Sequence, residues 1–123
     1  MSKKTVTEII DSENDYVIAV KKNQPKLYQD IQQTILENDP CDIDYTLEKN
    51  RGRREERAVF VYDHIENIDS DWKGLKRIIQ VDRSIDDAEE TSYYISSLAK
   101  TAIEFNKGIR GHWRIENSLH WTK

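Results

Sequence analysis

The chain has 123 residues, 37% of them hydrophobic and 34% charged, with a formal net charge of −4 and a single cysteine, Cys41. That length holds one domain at most around a lean core, the charge leaves only local basic segments for any contact with nucleic acid, and one cysteine excludes an internal disulfide. No apolar run approaches the roughly 20 residues that span a bilayer, and Met1 to Thr5 leads into Glu8 and Asp11 rather than an apolar segment, so no secretory signal is read and no membrane partner is expected.

In chain order, Val6, Ile9 and Ile10 at helical spacing predict a short helix ending near Asn14. Tyr16-Val17-Ile18-Ala19-Val20 follows as a continuous β-prone run that wants cover on both faces. Such a strand is expected inside a parallel or mixed sheet, with neighbouring strands lying upstream of this chain. Asn23-Gln24-Pro25 opens a second helix with proline in its first turn and Leu27, Tyr28, Ile31 and Ile35 on one face. Asn38-Asp39-Pro40 stops it. From Asp42 to Ser97 the pattern is shorter β pieces: Ile43 to Leu47, a turn at Asn50-Arg51-Gly52, Ala58 to Tyr62, Arg77 to Val81, and Ser92 to Ser96, with Ser84 to Glu90 as a polar hairpin loop. A last helix is expected from about Ala99 or Lys100 to the C-terminus, weakened at Gly108 and Gly111.

Charge is patterned locally. Lys21-Lys22 with Lys26, the run Lys49 to Arg57 with its four arginines, and Arg110 to Arg114 are basic, whereas Asp82 to Glu90 is mostly acidic. Each has a plain reading as a solvated face.

The densest chemistry lies in Arg110-Gly111-His112-Trp113-Arg114-Ile115-Glu116-Asn117-Ser118-Leu119-His120-Trp121. Projected as a helix at about 100° per residue, His112, Glu116, His120 and Lys123 share one stripe with Phe105, Ile109 and Leu119. An acid then sits on the apolar face, against ordinary amphipathic logic. Three readings fit Glu116: a bond to His112 or His120 one turn away, a His-rich metal site, or a helix-borne carboxylate completing a magnesium site whose other ligands lie on strands elsewhere.

At these residues the chain resembles the DDE transposases of bacterial insertion sequences, and within them the ISAs-type group. Lys21 to Pro25 is similar to that group's strand-to-helix junction, and Gly52-Arg53-Arg54-Glu55-Glu56-Arg57 to its basic turn. Trp72-Lys73-Gly74-Leu75, Tyr93 to Leu98 and Arg110 to Trp121 continue the likeness in the same order. The resemblance implies an α/β fold, α+β as a fragment: an incomplete RNase-H-like core over residues 1–40, a β-rich insertion over 41–98, and a C-terminal acidic helix over 99–123. It implies two strand aspartates and one helix glutamate binding Mg2+, with Glu116 as the third acid and both aspartates upstream of this chain; Asp11 and Asp15 are read as surface or helix-end residues.

In the broader superfamily's tyrosine, arginine, glutamate, lysine pattern, Ile109 takes the tyrosine slot, His112 the arginine slot and Lys123 the lysine slot. The resemblance adds DNA contacts from His112, Trp113, Lys123, Arg110, Arg114, Arg53, Arg54 and Arg57, and stacking on exposed bases from Trp113 and Trp121. The expected function is that of a transposase fragment whose family role is metal-dependent cleavage and transfer of DNA strands, inactive alone for want of two aspartates. Its expected partners are transposon-end and target DNA and an oligomer with intact transposase, in the cytoplasm at the nucleoid. The alternatives are a non-catalytic DNA-binding or interfering fragment, and a functionless remnant that exposes its orphan strand Tyr16 to Val20.

Overall fold

A computed structural model describes residues 3–112 and 120–121. The elements run α1 (Lys3–Asp11), β1 (Asp15–Val20), α2 (Pro25–Glu37), β2 (Asp42–Asn50), β3 (Arg53–Tyr62), β4 (Arg77–Ile85), β5 (Ala88–Ser96), α3 (Ala102–Lys107), a π-helical turn (Gly108–His112) and β6 (His120–Trp121). Among the described residues the strands form one sheet in the order β2-β3-β4-β5-β1-β6, every neighbouring pair antiparallel. The fold is therefore mixed α/β, built on an antiparallel sheet.

Strand alternation sorts the apolar side chains onto two faces. Tyr16, Ile18, Val20, Tyr62, Ile78 and Ile95 pack with Val6 and Ile9 of α1, Leu27 and Ile31 of α2, and Ile68, Trp72 and Leu75 from the β3–β4 connection. On the opposite face Val17, Val59, Val61, Ile79 and Val81 pack beneath Ala102 and Phe105 of α3. β1 contributes to both clusters, which accounts for its unbroken apolar run.

The helices start and stop for identifiable reasons. Pro25 opens α2, and Asn38 donates to the Thr34 carbonyl at its end. Thr101 and Glu104 form a reciprocal capping box on α3, and Asp42 of β2 accepts a 2.7 Å bond from the Ala102 backbone N–H. α1 ends with Glu13 in the left-handed region at φ 64°. The Glu13 N–H donates to Ile10 and the Asn14 N–H to Ile9, the paired bonds that close a helix of this type.

Four expectations change. β1 is not an orphan in a parallel or mixed sheet: it pairs antiparallel with β5, from the segment expected to be an insertion, and with β6. Its Tyr16, Val17 and Ile18 are at most 1% exposed, so this strand is not left open to solvent. The Ser84 to Glu90 loop shrinks to a two-residue turn, since β4 and β5 pair out to Ile85 and Ala88. The last helix does not run unbroken to the C-terminus. Helical dihedrals stop at Gly111, which is extended at φ 179°, and His120 and Trp121 are extended and paired with Tyr16 and Asp15. Finally, Asp15 is buried rather than at the surface, whereas Asp11 is exposed at the end of α1. Among the described residues no helix is long and apolar enough to cross a membrane.

Candidate nucleic-acid interface

The β2–β3 hairpin turns on Arg51 and Gly52, both left-handed at φ 54° and 78°. Asn50 faces Arg53 across the turn. Two successive positive φ values match the strand twist of a tight hairpin, and Gly52 takes the second at no steric cost. From there alternation separates the arginines: Arg53 and Arg57 point to the α3 side of the sheet, and Arg54 to the opposite side.

On the α3 side, Glu55 accepts from Arg83 Nε at 2.6 Å and from Arg57 at 3.0 Å. The Arg83 hydrogen bond, reinforced by both guanidinium charges, holds the Glu55 carboxyl below the usual glutamate range against partial burial. The Arg57 side chain is only 13% exposed, and its Nε and second terminal nitrogen find no acceptor among the described residues. Arg110, in the turn after α3, forms an ion pair with Glu48. Glu48 and Glu55 are register partners, so the end of the α3 segment is tied to the arginine-rich hairpin. A cavity of about 310 Å³ opens there, lined by Glu48, Arg51, Arg53, Glu55, Arg83 and Ile85. Arg54, by contrast, pairs with Glu56 at 2.7 Å on the other face.

Of the expected DNA-contact residues, the structure thus brings Arg53, Arg57 and Arg110 together and sets Arg54 apart. For His112 only the backbone is described, in the π-helical turn. Trp113, Arg114, Glu116 and Lys123 lie outside the described residues, as does the Trp121 side chain. Arg83 escapes the sequence reading because it lies within the mostly acidic run from Asp82 to Glu90. The signal that would have found it is strand period: Arg83 stands directly across from Arg57.

Other motif residues have structural work. Ser97 Oγ accepts from the Tyr16 N–H and donates to Asp15 at 3.0 Å, while Ser96 Oγ donates to the Tyr16 carbonyl. The Tyr16 hydroxyl, its pKa pushed up by burial, donates to the Lys73 carbonyl. Gly74 adopts φ 77°, and a Cβ there would meet Ile10 Cδ1 at 2.7 Å. Lys3 bonds Asp69 at 2.5 Å and Lys73 pairs with Asp11, fixing the β3–β4 connection to α1. Lys21, Lys22 and Asn23 are exposed between β1 and α2.

A family model described as "Transposase DDE domain" matches residues 1–123. The chain belongs to the DDE transposase family. It is 35% identical to "Putative transposase YncI" of Escherichia coli O157:H7, over 98% of this chain and 34% of that protein. It is 33% identical to "H repeat-associated putative transposase YhhI" of Escherichia coli K12, over 96% of this chain and 35% of that protein. The chain spans about a third of the length of these curated relatives. No solved structure matches it.

A metal site of the DDE transposase kind needs several hard oxygen ligands converging on the ions. Among the described residues no group of three or more His, Cys, Asp or Glu side chains is placed to hold one, and Asp15 is engaged by Ser97. The described side chains do not fit such a centre.

Proposed function

We propose that residues 1–123 are the C-terminal portion of a DDE transposase catalytic domain, and that alone they do not cleave DNA. The observation that carries the reading is the family match along 1–123 combined with coverage of about a third of each relative. In this reading residues 1–40 are a remnant of an RNase-H-like core, 41–98 a β-rich insertion and 99–123 the acidic segment. Helices on both faces of an antiparallel sheet, in a mixed α/β fold, are consistent with a transposase domain.

Glu116 is then the third acid of a Mg2+ triad, and its partners are aspartates that this chain does not supply. One carboxylate cannot position two ions for in-line displacement at phosphorus. The purified chain with Mg2+ or Mn2+ is expected to give no nicking or strand transfer on transposon-end duplexes. Turnover that disappears in Glu116→Ala would overturn this.

A second reading is favoured by the basic hairpin: a non-catalytic fragment that binds transposon-end or target DNA through Arg53, Arg54, Arg57, Arg110, Arg114, His112, Trp113 and Lys123, and interferes with or joins intact transposase at the nucleoid. Salt-dependent duplex binding is its test. A functionless remnant is disfavoured by the buried β1, which pairs with β5 along Val17 to Val20, and a non-cooperative melting curve would revive it.

A further inference from the structure

The outer halves of β2 to β5 carry differently composed sets of charges on their two faces. On the α3 side stand Arg51, Arg53, Arg57, Arg83 and Arg110 with Glu48, Glu55 and Glu90, while Asp86 and Asp87 fill the β4–β5 turn at the same end. On the other side Lys49 and Arg54 face Glu56, Asp82 and Glu89, an excess of one negative charge. In a chain of net charge −4 strand alternation thus gathers five arginines on the first face. At a physiological Debye length of about 8 Å, a ligand on that face responds mainly to these side chains.

We propose that the α3-side face of the hairpin ends is a binding site for the sugar-phosphate backbone of duplex DNA, with Arg51, Arg53 and Arg83 as its contact residues. The inference rests on the DNA-binding reading above and assigns that contact to one face and to two arginines, Arg51 and Arg83, not assigned there.

The argument is one of donor supply. Glu55 is a single carboxylate shared by two guanidiniums, so the Arg57–Glu55–Arg83 triad keeps a net positive charge and orients Arg83 through its Nε. Arg83 lines the 310 Å³ cavity together with Arg51 and Arg53. Guanidinium forks meet phosphate oxygens in bidentate geometry, and held in place by Glu55 they lose less rotamer entropy on doing so. Arg57, only 13% exposed, supports the triad and adds charge without reaching a ligand. Arg54 lies among carboxylates on the far face and makes no phosphate contact.

The test is fluorescence anisotropy of the purified chain with a labelled duplex across a salt series, with thermal melting of every variant as a fold control. Arg53→Gln and Arg83→Gln are each expected to weaken binding about three- to tenfold and to reduce the salt slope by about one. Arg54→Gln is expected to stay within about twofold of the parent. Should Arg83→Gln melt early, Arg51→Gln and Arg53→Gln on exposed positions carry the test, each weakening binding about three- to tenfold. A loss in Arg54→Gln as large as in Arg53→Gln, or an unchanged salt slope in Arg53→Gln, overturns the face assignment alone. A parent chain with no salt-dependent binding overturns the DNA-binding reading and this site together.

Discussion

β3, β4 and β5 lead two different lives along their length. Near Tyr62, Ile78 and Ile95 they are clothed by helices on both faces, and Val59, Val61, Ile78, Ile79 and Ile95 have no solvent exposure. A few residues further along the same strands, at Arg53 to Arg57 and Arg83 to Glu90, most side chains are charged and all are half-buried or exposed. The period of two continues unbroken through both halves; what changes is whether alternation separates core faces or differently composed sets of charges. The difference teaches that one ladder serves stability at one end and gathers charge at the other, where the proposed DNA contact lies.

The comparison breaks most sharply if the clothed half is emptied. Phe105→Ala removes a fully buried ring from beneath α3, and a loss of about 3–5 kcal/mol in denaturant-induced unfolding is expected. A loss below about 1 kcal/mol would mean that α3 does not cover the sheet as described. An intermediate effect is expected in the charged half at Glu55→Gln, which takes the charged acceptor from Arg57 and Arg83 and should cost roughly 2 kcal/mol at neutral pH.

That cost has a pH signature. The folded Glu55 carboxyl is held below its ordinary value, so its contribution is complete above the unfolded pKa of about 4.3 and is lost as pH falls through the lower folded value. The gap between parent and Glu55→Gln should therefore narrow below pH ~4.3 in acid-unfolding curves. A gap constant through that window would show that the triad is not ionised as drawn. The smallest change is a gain: Glu13→Gly at the left-handed end of α1 should stabilise by up to about 1 kcal/mol, since glycine takes φ 64° without the Cβ penalty.

Elements with one dominant local cause were legible in the sequence. The Tyr16 to Val20 run, Pro25 opening α2, and the Asn50-Arg51-Gly52 turn were each read at their observed places, because buried-strand composition, a proline in the first turn and paired positive φ values act within a few residues. Partners of β1 were not legible. An apolar run states that both faces are covered but not by what, and here the sheet neighbour is β5, far along the chain. The Ser84 to Glu90 loop was misread because Asp86 and Asp87 fill the turn while their polar neighbours, being half-buried or exposed, still belong to strands. For the same reason Arg83 was lost among acids. The helical stripe drawn through Glu116 assumed one period to the end of the chain, and extended backbone at His120 and Trp121 interrupts it. Family membership, in contrast, was readable from five short motifs in order, and several of those, at Trp72 to Leu75 and Ser96 to Ser97, are packing and hydrogen-bonding devices rather than chemistry.

The most direct test of the division into a structural half and a recognition half is the salt dependence of duplex binding by the unmodified chain. Three arginine contacts predict that log K falls against log salt with a slope of about −3. A flat line would contradict the account, leaving the basic face as a solvated end of the sheet.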